Sequence, residues 1–168
     1  MKNKIIAFCF FILGILLYFI NKDTTQIPTV NNNQINISFY KNMDNFINYK
    51  FIGIFINNMI VGLLLSVFGY LTGGFLTLLI LIWNGFLVAM VYNMAIYKLP
   101  ISAILYASKH APFEIYAFLI FSEFGLKGRF FIKNILKNNE INFTLIPGFK
   151  KLIFPIILLL IASILEIL

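Results

Sequence analysis

Charge is scarce in this 168-residue chain: Asp, Glu, Lys and Arg together make up 11% of it. Soluble domains carry about a quarter, so too few polar side chains exist to cover a water-facing surface. A single cysteine, Cys9, excludes an internal disulfide. A single histidine, His110, excludes the paired histidines of a zinc protease. No serine sits in a Gly-x-Ser-x-Gly elbow, and no glycine-rich phosphate loop is present, so ATP does not drive this chain directly. These absences point to a non-enzymatic protein with no cofactor and no metal. An intramembrane hydrolase using His110 is the remaining enzymatic alternative.

What fills the chain is apolar. Hydrophobic residues reach 61% and the mean hydropathy is +0.92, which specifies an all-α integral membrane protein. The formal charge of +7 would suggest nucleic acid in a soluble chain. Here the basic residues lie between apolar runs, where they set topology and touch anionic headgroups, so the bilayer and not nucleic acid is the expected partner. The wealth of Asn, Lys, Ile and Phe points to an AT-rich, bacterial source and hence to the cytoplasmic membrane.

A spanning helix needs about 20 apolar residues, and on that measure one membrane domain of five spans results. The first covers residues 5–20, behind Lys2 and Lys4, as an uncleaved anchor. Residues 21–50 form an Asn-rich connection whose end, about 39–49, reads as a short surface helix. The apolar run after Phe51 is too long for one helix, and Gly73-Gly74 divides it into spans at 52–71 and 75–97. A fourth occupies 101–124 and a fifth 152–168. The loop 125–151 carries Lys127, Arg129, Lys133, Lys137, Lys150 and Lys151 against Glu140 alone. The positive-inside rule places it in the cytoplasm, together with the N-terminus, and 21–50 outside. Within this loop Arg129, Lys133 and Lys137 recur every four residues, with Phe131, Ile132 and Ile135 opposite. That is the pattern of an amphipathic helix on anionic headgroups, or of a solvated turn that only fixes topology.

Small residues mark one face of the second span: Gly62, Ser66, Gly69 and Gly73. In lipid such a stripe is a packing seam, here expected against the third span, with a homodimer seam as the alternative. Asn57-Asn58 opens the second span and Asn84-Gly85 lies inside the third. A buried amide without a partner costs a few kcal/mol, so these predict an interhelical clasp or a site.

The sharpest departure from apolarity is KHAPFE, residues 109–114. His110 and Glu114 are four apart and share a helix face. A charge at the bilayer centre costs about 3 kcal/mol, so both are expected to face the interior, near Asn84 or Asn57/Asn58. Pro112 removes a backbone donor and predicts a broken or kinked fourth span. Broken helices are how transporters build midplane sites, so a permease element with a proton- or ion-responsive His110/Glu114 site is one reading. A re-entrant hairpin, in at 101–110 and back at 112–124, is the alternative topology.

Asn57-Asn58, the Gly62–Gly73 series, Asn84-Gly85, His110 with Glu114, and Gly125 in EFGLKG together resemble the stage II sporulation protein M family. The likeness covers about residues 50–130. It departs at Ala111, where the family pattern reads His-Gly-x-x-Glu, which leaves close backbone packing at this point in question. The resemblance implies a small polytopic membrane protein, generally not regarded as an enzyme. Its namesake anchors peptidoglycan-degrading partners during engulfment. Other members accompany circular-bacteriocin genes, serving production or immunity, often beside ABC transporter subunits. On this basis the expected function is an accessory or scaffold protein of the envelope, and Asn57, Asn58, Asn84, Gly85, His110, Glu114 and Gly125 are its candidate polar set.

Overall fold

A computed structural model describes residues 2–21, 43–138 and 148–168. Every regular element among them is helical: α1 Lys2–Asn21, α2 Met43–Leu63, a π segment Leu64–Phe68 with a last turn α3 Gly69–Leu71, α4 Phe75–Lys98, α5 Ile101–Ala107, α6 Ala111–Leu126, α7 Gly128–Asn138, a 3-10 turn Phe149–Leu152 and α8 Ile153–Ile167. Helices satisfy their own backbone groups, which lipid cannot do for them. Three segments, Lys2–Asn21, Phe51–Leu71 and Phe75–Lys98, are long and apolar enough to cross a bilayer. Large side chains such as Ile5, Phe19, Ile52, Phe68, Trp83, Ile153 and Phe154 project outward, each at least half exposed. Water would not tolerate such a belt; the chain is a membrane protein.

The surface helix expected at 39–49 does not stand apart. From Met43 the backbone is continuous with α2, and residues 39–42 lie outside the described residues. Most of the 21–50 connection lies outside them as well.

At the centre lies α6, which buries Ala117, Phe118, Phe121, Ser122, Phe124, Gly125 and Leu126. The small-residue face of α2 and its π segment turns chiefly to this helix. A side chain at Gly62 would strike the Phe121 ring, and one at Gly69 would strike Thr77 of α4 and approach Gly125. The expected seam against α4 is therefore shared with α6. Gly73 and Gly74 make the turn into α4 with φ of 66° and 88°, a left-handed backbone that glycine adopts without strain.

The π segment changes the hydrogen-bond register and leaves a carbonyl without its helical donor. Thr77 Oγ1 donates to the Leu65 carbonyl at 2.8 Å, in a buried position. Thr77→Val keeps the shape and removes this donor. It is expected to lower stability in detergent by about 1–2 kcal/mol, while Thr77→Ser stays near wild type; thermal unfolding of the purified protein checks both.

The fourth apolar run is broken, as its proline suggested, but three residues earlier. Between α5 and α6 the turn is Ser108-Lys109-His110, and Pro112 lies in the first turn of α6. There its missing N–H interrupts no intrahelical bond. Ala111, expected to be pushed out of helical geometry, is instead the first residue of α6, and its N–H bonds the Ser108 carbonyl at 3.0 Å.

Contacts to α1 mark two levels of the bundle around α6. At its C-terminal end Glu123 pairs with Lys4 of α1 at 3.8 Å. The α4 end that leads into α5 holds Asn93, which donates to Tyr18 of α1 at 2.8 Å. Lys4 and Tyr18 are about 21 Å apart along α1. The chain thus passes from the level of Tyr18 at the end of α4 to the level of Lys4 at the end of α6.

Candidate functional site

The N-terminal end of α6 gathers three ionisable groups from the apolar segments. His110 Nε2 lies 4.0 Å from Glu114 Oε2 and 3.9 Å from Glu166 Oε2. The imidazole is thus near two carboxylates, one from the first turn of α6 and one from α8. These side chains are 20%, 24% and 32% exposed respectively. Both separations are too long for hydrogen bonds; the arrangement is electrostatic. His110 Nδ1 is buried with no hydrogen-bond partner among the described residues. Nearby, the Lys109 ammonium sits 4.1 Å above the Tyr106 ring, and the Tyr106 hydroxyl donates to the Leu168 carbonyl at 2.6 Å.

Beside His110 and Glu114 opens a cavity of about 320 Å³ between α4 and the α5–α6 break. Asn84, Tyr92 and Ser108 line it along with those two residues, and the remaining walls are aliphatic. Two of its polar groups are anchored to their own helices: Asn84 Nδ2 donates to the Ile80 carbonyl at 2.8 Å, and the Ser108 hydroxyl to the Ile104 carbonyl.

The candidate set drawn from the sequence separates into three places. Asn84, His110 and Glu114 share the cavity. Gly85 and Gly125 lie in seams: a side chain at Gly85 would meet the Phe11 carbonyl of α1, and one at Gly125 the Leu65 carbonyl and Thr77. On α2, Asn58 is buried and Asn57 exposed, and neither lines the cavity. Gly62, Ser66 and Gly69 belong to the packing face described above, where the Ser66 hydroxyl donates to the Gly62 carbonyl at 2.8 Å.

At the opposite end the basic residues act differently from one another. Arg129 donates to Asn3 Oδ1 at 3.0 Å and lies over the Phe130 ring. Lys133 and Lys137 are exposed on α7, whose opposite face sets Phe131 against Tyr70, ring centres 5.4 Å apart, and Ile132 against Gly73. Lys127 reaches Glu123 at 3.3 Å. Exposed pairs of this kind contribute about 0–1 kcal/mol each.

Two features escaped the sequence reading. Glu166 is the sole acid of the last apolar run, and the logic that singled out Glu114 applies to it equally. The α1–α4 contact is the other: Phe11 and Ile15 on α1 lie against Gly85 on α4, Gly14 against Ile82, and Tyr18 against Asn93. In helices apolar on every side, no polar contrast marks which face is inward.

The sequence model of a family described as Stage II sporulation protein M matches residues 5–167. The chain belongs to this family. The match takes in the first and last helices, so α1 and Glu166 are as much part of the stage II sporulation protein M framework as residues 50–130. No curated protein and no solved structure matches. Among the described residues no group of three His, Cys, Asp or Glu side chains is arranged to hold a metal ion.

Proposed function

We propose that this family member is a non-enzymatic accessory or scaffold protein of the bacterial cytoplasmic membrane, acting through partner proteins of the envelope. The supporting observation is the family match along nearly the whole chain. In this reading α1, Phe51–Leu71, α4, α5 with α6, and α8 are five spans, and Lys2, Lys4 and the basic α7 region face the cytoplasm. Exposed Lys133 and Lys137 rest on anionic headgroups. Partners of the expected kind are peptidoglycan hydrolases, in an engulfment setting, or ABC transporter subunits, in circular-bacteriocin production or immunity. Cross-linking followed by purification from native membranes tests the reading: the same envelope protein is expected in repeated preparations, and none recurring would count heavily against it.

One observation favours a second reading. The cavity beside His110 and Glu114, at a helix break, suits a permease component with a proton- or ion-responsive site. Purified protein in liposomes under a pH gradient separates the two. Flux that Glu114→Gln abolishes supports the permease, and no flux supports the accessory role.

A further inference from the structure

We propose that the cavity between α4 and the α5–α6 break binds a protonated primary amine carried on an apolar body. The inference goes beyond the accessory reading and does not rest on it, since a scaffold and a permease would each keep the cavity.

Asn84, Ser108 and Glu114 present acceptors to the cavity, and the Tyr92 hydroxyl and His110 imidazole can accept as well as donate. Asn84 directs its N–H to Ile80, leaving its amide oxygen as an acceptor. Ser108 donates to Ile104, leaving its lone pairs. The Glu114 carboxylate accepts no hydrogen bond among the described residues, since His110 is 4.0 Å away. Outside the lining, Glu166 adds a second carboxylate 3.9 Å from His110 Nε2. Among the described residues His110 is the one basic side chain in the lining; Lys109 lies over Tyr106 and does not line the cavity.

An ammonium complements this set, with one positive charge and three N–H donors. An anion would meet the Glu114 carboxylate. A neutral alcohol brings one donor and no charge, and a quaternary ammonium brings charge and no donor. The volume, about 320 Å³, is at the low end for small-molecule sites, enough for an amine and the first part of its apolar body. The remainder has an exit beside two apolar lining residues, Val91 and Leu99, which are 58% and 50% exposed.

Native mass spectrometry of the full chain in detergent tests this, with dodecylamine as probe and dodecanol as its neutral counterpart. One dodecylamine is expected to bind at least about tenfold more tightly than dodecanol, the difference one charge-assisted hydrogen bond makes. Glu114→Gln should lower that affinity about tenfold. Ala95→Phe, which fills the cavity without touching the charges, should abolish it; a monodisperse elution profile shows that each variant is folded. A second titration compares phosphatidylethanolamine with phosphatidylcholine. Preference for the first identifies a bilayer headgroup as the source of the amine, and equal weak binding of both identifies a free amphiphilic amine. Equal binding of dodecylamine and dodecanol overturns the proposal, as does wild-type binding by folded Ala95→Phe. Neither result would touch the partner-based reading, which is read from membranes and not from amine binding.

Discussion

Gly85→Leu is expected to abolish the folded protein. At this position the α4 backbone lies so close to α1 that the first carbon of any side chain would meet the Phe11 carbonyl. Backbone cannot swing aside as a flexible side chain can, so α1 must separate from α4. Gly14→Leu imposes the reciprocal clash, against the Ile82 carbonyl. Overpacking in ordinary cores costs about 1–3 kcal/mol, and a backbone clash exceeds that range. With total stabilities of about 5–15 kcal/mol, either variant should elute as aggregate, or be degraded in the membrane. Gly53→Leu supplies the control. Nothing lies within 4 Å of a side chain there, and lipid accepts leucine, so its level and elution profile should match wild type. Size-exclusion profiles of the three variants check the contrast. Comparable behaviour of Gly85→Leu and Gly53→Leu would show that α1 does not dock at Gly85.

His110→Leu carries the second large effect. In the wild type the imidazole lies about 4 Å from both Glu114 and Glu166 and attracts both whenever it is protonated. Leucine leaves two carboxylates facing each other in an apolar setting, and like charges there repel far more than in water. Breaking a buried pair costs about 3–5 kcal/mol. These side chains retain partial exposure, so about 1–3 kcal/mol is the expected loss for this variant. Adding Glu166→Gln removes one charge and should restore most of the lost stability. A positive coupling of at least about 1 kcal/mol between the two substitutions marks the three groups as one unit. Thermal midpoints of the single and double variants provide the measurement, and strict additivity would show that Glu166 stands apart.

Physical contrast explains what could be read in advance. His110, Glu114 and Pro112 stood out because polar groups and a missing N–H are costly in lipid. They marked the broken run and the residues at its end. Gly73-Gly74 marked its turn for a similar reason, since positive φ has a strong residue preference. The break itself was misplaced by three residues because proline fits the first turn of a helix as well as it interrupts the middle of one. Gly85 and Gly125 were grouped with the polar residues through the family resemblance, although a glycine is as often a place where two backbones meet. Faces were the least legible feature. The apolar sides of α1 and α4 bear the same residue types inward and outward, because lipid and protein interior demand the same chemistry. Glu166 was legible and was overlooked only because it falls at the end of its run.

The central claim is that function depends on the His110–Glu114–Glu166 end of the bundle, while the glycine seams only position it. Cross-linked purification from native membranes, with recovered partner normalised to the level of this protein, tests that claim most directly. Glu114→Gln and Glu166→Gln are predicted to keep a monodisperse, membrane-resident protein and to lose partner severalfold, whereas Lys133→Gln and Gly53→Leu retain it. Undiminished partner recovery in both glutamate variants would contradict the account.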